Sequence, residues 1–543
     1  MPGRLSPTAR LATIDRMRTR RIGRSALLGL GLTGALAAAS LVGTGWGAGF
    51  TFERASVASD GTESNNGSDS PALSAGGRYV AFVSEASNLV LNDVTGARDV
   101  FVHDRIAQTT DRVSVASNGT EGNDHSFSPA LSGDGRYVVF ASDADNLVPN
   151  DTNLARDIFV RDRMTSTTTR VSVAGNGTQG SNDSETPSIS ADGRYVTFTS
   201  LAINLVAGDT NNDRDVFVHE LSSGISEIAS LSTSNTQGNF GSGGVGAGPG
   251  RISDDGRYVV FGSFASNLVP GDTNSADDIF VRDRALGTLE RVSIGDGEEQ
   301  GNDHSVYGSI SNTGRFVAFT SASTNLVAGD TNGLSDIFLR DVQANTTIRL
   351  SEAANGDEAD AAGAFAVVSR NSTVVAFQSA ASNLVPGDGN ATTDVFRFDI
   401  ATGQLSRISV PAAGTDANGP SAFAAVSEAG DVFAFQSSAS NLIAGDGNGQ
   451  PDIFALIQKP LPTPTATATA IGGATQTPGP GTTPRPTGTA PSGGTAPSAL
   501  PQTGAGGTSG TGGSRAFVLG GTLAGAGAMG GALLWKRRRA LRR

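Results

Sequence analysis

Cysteine is missing from all 543 residues. Disulfides and a lipid-modified N-terminal cysteine are therefore excluded. Histidine is nearly missing, with four copies, and tryptophan has two. The chain contains no Gly-x-Ser-x-Gly elbow, no zinc-ligand spacing and no phosphate-binding loop. Long uncharged apolar runs are confined to the two ends, so the middle must build its core from short segments.

Both ends read as non-globular. The first 24 residues hold seven arginines and one acid, followed by the uncharged run 26–42, "ALLGLGLTGALAAASLV", and then small residues. This is the order of an export signal, and residues 1–49 are assigned to it, with cleavage expected between Ala39 and Gly49. "TRRIGRS" resembles a twin-arginine motif but lacks the bulky apolar residues that follow one, which favours a long Sec-type n-region. Residues 459–499 are rich in Pro, Thr, Ala and Gly and cannot bury a core; about forty extended residues would reach roughly 120 Å, enough for a stalk.

Then come "LPQTG" (Leu500, Pro501, Gln502, Thr503, Gly504), the Gly-rich spacer 505–515, the uncharged span 516–535 and the basic tail 536–543. The span is long enough to cross a bilayer. Together these resemble the sorting signal of Gram-positive cell-wall proteins. The resemblance implies that sortase is a processing partner, cutting between Thr503 and Gly504 and joining Thr503 to peptidoglycan. The expected location is extracellular and wall-anchored, with the helix holding the chain in the membrane before sorting; a plain single-span anchor is the alternative.

The ends also hide the charge of the middle. Setting aside the first 24 residues (seven basic, one acidic) and 505–543 (seven basic, none acidic) leaves 25 basic against 51 acidic, a net of −26. Such a domain repels nucleic acid and anionic lipid and attracts divalent cations or basic partners.

Residues 50–458 are one motif written seven times. Phe82, Phe140, Phe198, Phe261, Phe319, Phe377 and Phe435 recur at steps of 58, with one step of 63. Each unit reads as four short strands. In the third these are 186–190, 194–200 after an "ADG" turn, 215–220 after a polar connection, and 226–232. The predicted fold is all-β: a seven-bladed propeller of four-stranded blades. The stretch beginning at Phe50 matches a fourth strand, and the last unit lacks one, so the N-terminal strand is expected to complete the last blade and remove the open edge. The five extra residues fall within "TQGNFGSGGVGAGPG" (236–250), ahead of blade four, as a contact loop or tolerated insertion.

"SADGRYVTFTS" and "GDTNSADDIFVRDR" resemble the TolB-type, WD-like β-propeller repeats of bacterial secreted proteins. The resemblance implies a propeller used for binding. Thr373 and Asp431 depart from it, standing where earlier units have Arg78, Arg136, Arg194, Arg257 and Arg315.

The second-to-third-strand loops and the blade-to-blade loops share one decorated face, where binding is expected; the other face has only tight turns. Each decorated loop runs from a first Asp (Asp93, Asp151, Asp209, Asp272, Asp330, Asp388, Asp446) to a last (Asp99, Asp157, Asp215, Asp278, Asp336, Asp394, Asp452). An Asn stands two after the first Asp except at Thr95. "GDTNNDRDVF" imitates an EF-hand, but Glu220 would lie roughly 16 Å along a strand beyond Asp215, and the required glycine is Arg214.

Two readings stay open. In one, each Asp side chain accepts backbone N–H bonds and fixes the turn into the third strand. In the other, the loops form oxygen cages for calcium. The candidate ligands are Asp209, Asn211, Asp213 and Asp215, with Asp151, Asn153 and Asp157, Asp272, Asn274 and Asp278, and Asp330, Asn332 and Asp336. Blade three, with the extra Asp213, is the best single candidate. No catalytic residue is assigned. His103 and His219 read as strand residues, and His125 and His304 as surface-loop residues three blades apart. The expected function is a non-enzymatic surface module binding a glycan or protein; the alternatives are a polysaccharide- or peptide-cleaving enzyme, or a structural spacer.

Overall fold

The computed structural model describes residues 50–244, 248 and 250–458. The expected export signal, stalk, sorting motif, spacer, membrane span and basic tail lie outside the described residues. Among the described residues all regular structure is β, and no helix is long and apolar enough to cross a membrane.

Seven antiparallel sheets of four strands follow the chain. Blade one comprises Ser68–Leu73, Tyr79–Ser84, Asp99–Asp104 and Thr109–Arg112, running from the innermost strand outward. Blade three comprises Ser184–Ile189, Tyr195–Ser200, Asp215–Glu220 and Ile225–Ile228. In blade seven the order is Ser421–Val426, Val432–Ser437, Asp452–Gln458 and then Phe50–Arg54. Phe50 pairs with Gln458 and Arg54 with Phe454, so the N-terminal strand closes the ring as expected.

Apolar side chains from one blade pack on the next, which places the core between blades rather than in the channel. Val139 and Ile158 of blade two meet Val196, Phe198 and Phe217 of blade three. The repeated phenylalanine stacks on a partner in the third strand; Phe198 and Phe217 have ring centroids 5.6 Å apart, and both are fully buried. Such pairs add about 0.5–1.5 kcal/mol beyond the area they bury.

The fourth strand ends at Ile228, four residues before the expected Ser232. The chain leaves the ladder because Ser230 turns inward: its Oγ accepts the Val216 N–H at 3.1 Å and donates to Asp215 at 2.5 Å. The inner strand begins at Ser184, two residues earlier than expected. In six blades the inner strand carries a register shift with one residue at positive φ: Ser70, Ser128, Thr186, Tyr307, Phe365 and Phe423.

Blade four differs. Ser242 bridges Ser263 as Ser184 pairs with Ser200, and Arg251 opposes Val260 as Ser188 opposes Thr197. Nine positions then separate Ser242 from Arg251, where four separate Ser184 from Ser188. The five extra positions expected ahead of the blade therefore fall between the Ser242 and Arg251 pairings, where the other blades have their bulge.

Candidate functional site

The Asp/Asn loops are built from the inside. The last Asp of each motif opens the third strand, and a serine from the blade's end donates to it in all seven blades: Ser114, Ser172, Ser230, Ser293, Ser351, Ser409 and Ser56. Asn153 donates to Asp157 and to the Gly180 carbonyl, both at 3.0 Å. Asn274 reaches the Gly301 carbonyl at 2.9 Å, and Asn332 the Ala359 carbonyl at 3.2 Å. The loop is thus tied to the next blade-to-blade connection. These bonds fix the turn by a route other than the expected one: in blade two Asp157 accepts from the side chains of Ser172, Asn153 and Arg170, while the backbone N–H groups of Ala155 and Ile158 go to Asn153 Oδ1 and Ser172 Oγ.

A cation already stands beside these acids in six blades. The fourth strand ends in an arginine that enters the cluster. Arg170 lies 2.8 Å from Asp151 and 3.0 Å from Asp157. Arg291 lies 3.6 Å from Asp272 and 3.3 Å from Asp278. Arg349 lies 3.6 Å from Asp330 and 3.9 Å from Asp336. Arg112, Arg407 and Arg54 do the same for blades one, six and seven. In two triads, Asp93–Asp99–Glu121 and Glu63–Asp446–Asp452, one carboxylate oxygen from each member lies within 4.8 Å of the other two; Arg112 and Arg54 supply their positive charge.

Blade three breaks the pattern. Ile228 stands where the other blades have arginine, and Asp213 stands where they have Ala97, Ala155, Ala276, Leu334, Thr392 or Gln450. Asp209, Asn211, Asp213 and Asp215 are all buried. Asn211 donates to Asp215 at 2.7 Å and accepts the Asp213 N–H at 3.0 Å. Gln237 donates weakly to Asp209 and Asp215, at 3.4 Å each. Burial pushes the Asp215 carboxyl up to about 7. The matching Asp278, with Arg291 beside it, rises to about 6. Glu220 lies at the far end of the strand and pairs with Arg194 at 3.3 Å, so it is no ligand here.

The histidines hold structure. His125 Nδ1 accepts the Arg98 N–H at 2.9 Å, and His304 Nδ1 accepts the Asp277 N–H at 3.0 Å. His103 and His219 are buried in third strands, bonded to Thr110 and Ser226.

The central channel carries the asymmetry that no motif revealed. A cavity of about 320 Å³ lies among the inner strands. Ser70, Ser128 and Thr186 line one side at their bulges. On the other side the lining bulge residues Phe365 and Phe423 are aromatic, with centroids 4.9 Å apart; Tyr307 packs behind Phe365 at 4.4 Å, and Phe423 remains 39% exposed. Arg370 reaches across from blade six to Asp254 of blade four at 2.7 Å.

Arg251 also lines this cavity, at a position filled elsewhere by Ala72, Ala130, Ser188, Ser309, Val367 and Ala425. Among the described residues no carboxylate pairs with it. Burial lowers its pKa, yet a guanidinium stays charged. These channel residues escaped the sequence reading, although aligning the seven inner strands singles out Arg251 at once.

No protein-family model and no curated protein matches the chain. Among solved structures it is similar to TolB from Acinetobacter baumannii, at 16% identity and a TM-score of 0.33, over 57% of this chain and 58% of that one. It is also similar to the β-propeller domain of the Trilobed protease from Pyrococcus furiosus, at 11% identity and a TM-score of 0.44, over 72% and 95% of the two chains. An oligogalacturonate lyase in complex with manganese matches at 12% identity and a TM-score of 0.44, over 76% and 96%. Likenesses this distant concern the fold alone, and the fold houses enzymes and non-enzymes alike.

Proposed function

We propose that the chain is an exported surface protein, anchored to peptidoglycan through Thr503 by sortase, whose propeller is a non-catalytic module that holds a glycan or protein ligand in its channel. The observation that carries this reading is the uncompensated Arg251 in a cavity with an aromatic side and a hydroxyl side. Aromatic faces stack on sugar rings or apolar side chains, and a guanidinium pairs with carboxylate or sulfate. The favoured ligand is therefore an acidic glycan, with an acidic peptide as the protein counterpart. Bulge residues held at positive φ fix these side chains in place.

The same cavity speaks against cleavage. Asp254 is the one carboxylate among its lining residues, and Arg370 takes it. A glycosidase needs two carboxyl groups flanking the bond. The test is an array of neutral, uronate-bearing and sulfated glycans and acidic peptides, probed with the purified full-length chain. Acidic members are expected to bind, with affinity falling at least about tenfold in Arg251→Ala and in Phe365→Ala. Binding that ignores both substitutions, or release of cleaved products, would overturn the reading.

A further inference from the structure

Blade three has exchanged its internal cation for an extra carboxylate. The six other blades hold an arginine between the first and last Asp. In blade three that residue is Ile228, which is aliphatic, while Asp213 adds a negative charge. Relative to blades two and four the cluster is more negative by two charges; relative to blades one, five, six and seven, which carry Glu121, Glu358, Asp416 and Glu63 where blade three has Gln237, it is more negative by one.

Two of its buried side-chain oxygens lack hydrogen-bond partners. Asp213 is 5% exposed, and its Oδ2 has no hydrogen-bond partner. Gln237 is 1% exposed, and its Oε1 has none either. Burying uncompensated carboxylates is costly, and a cation between them removes the cost.

We infer that blade three holds a single calcium ion, bound by Asp209, Asp213 and Asp215 with the side-chain carbonyls of Asn211 and Gln237. The donors are all oxygen, and their number allows water to complete the six to eight ligands of calcium. The amide of Gln237 faces the carboxylates with its nitrogen; turning it over presents its oxygen, a move that a cation favours. Calcium–oxygen distances of 2.3–2.6 Å require ligand atoms within roughly 5 Å of one another. The blade-three acids stand wider than the 4.8 Å triads of blades one and seven. Binding therefore draws the side chains inward by rotamer adjustment.

The sibling blades supply variants that preserve the fold. Asp213→Ala copies blades one, two and four at this position, and Ile228→Arg copies the six blades that carry arginine. Calcium is titrated into the purified full-length chain by calorimetry, with magnesium as comparator, and melting is followed with calcium and with chelator. One calcium per chain is expected, at a Kd of roughly 10⁻⁴–10⁻³ M. The melting temperature should rise with calcium and not with equal magnesium. Each variant should weaken calcium at least about tenfold and lose the shift, and Ile228→Arg should melt higher than wild type in chelator. An unchanged melting temperature, unaffected variants, or a stoichiometry near seven would overturn the inference. Neither variant touches Arg251, so channel binding is read separately.

Discussion

A buried carboxylate survives in this protein because of what stands beside it. Asp157 is fully buried, and Ser172, Asn153 and Arg170 all bond to it. Arg170→Leu leaves Asp151 and Asp157 without their cation and is expected to cost about 3–5 kcal/mol. Ser172→Ala removes one hydrogen bond and frees the Ile158 N–H, for about 1–3 kcal/mol. Denaturant unfolding separates the two values, and equal effects would contradict the assigned order.

The blade-three acids predict an unusual pH response. The folded pKa values of Asp213 and Asp215, pushed up to about 6 and about 7, exceed an unfolded value near 3.9. Between those values the native state holds more protons, so this contribution to stability falls as pH rises from roughly 4 to 7. The nearest basic neighbour in sequence, Arg214, is committed to Glu185 at 2.6 Å. Melting in chelator should therefore shift down from pH 5 to pH 8, and Asp213→Ala should flatten the slope. Asp104 works the other way. The Arg78 hydrogen bond pulls it down to about 2, so its contribution is present above pH 4 and lost as pH falls toward 2.

At the scale of elements, blades are joined by turns as well as by cores. Gly256 sits at φ +74°, and a Cβ there would lie 2.1 Å from the Tyr195 ring of the preceding blade. Gly271 has nearly the same φ but open space around it. Gly271→Ala should cost only the backbone penalty of about 1–2 kcal/mol. Gly256→Ala should cost clearly more, because the ring must move; equal melting temperatures would show that the contact is soft.

How much of this was legible varies by element. The third strand, Asp215–Glu220, was read to the residue because Asp marks its start and apolar positions fill it. The fourth strand was read too long because "TRVSVA"-type segments look extended, and only the fold reveals that their serine turns inward. The bulges were not legible. Ser70, Tyr307 and Phe423 adopt positive φ without being glycine or asparagine, against their own preference. Position in the repeat located the acid loops, but their chemistry depended on an arginine some twenty residues away, paired across the sheet. The exchange at Ile228 becomes visible only once that partner is known.

The described residues form a ring whose last bond is made by their first strand. Phe50 meets Gln458, so closure joins the most distant parts of the described chain. Loop closure over such separations slows folding. Removing Phe50–Arg54 should expose Asp452–Gln458 as an open edge. The expected result is a broader, less cooperative melt and concentration-dependent aggregation by light scattering. A separate check addresses the proposed anchoring: Thr503→Ala should leave the chain with the membrane fraction, whereas wild type is released only by wall digestion.

Ring closure also decides how the molecule meets force. The chain leaves the propeller after Gln458, at the end of a strand held on one side by Val432–Ser437 and on the other by Phe50–Arg54. A tether attached beyond Gln458 pulls along that strand's axis. Its hydrogen bonds to both neighbours are then loaded in parallel and must fail together, rather than opening one at a time like a zip. A protein exposed to flow would thus be gripped at the place where its ring is stapled from both sides.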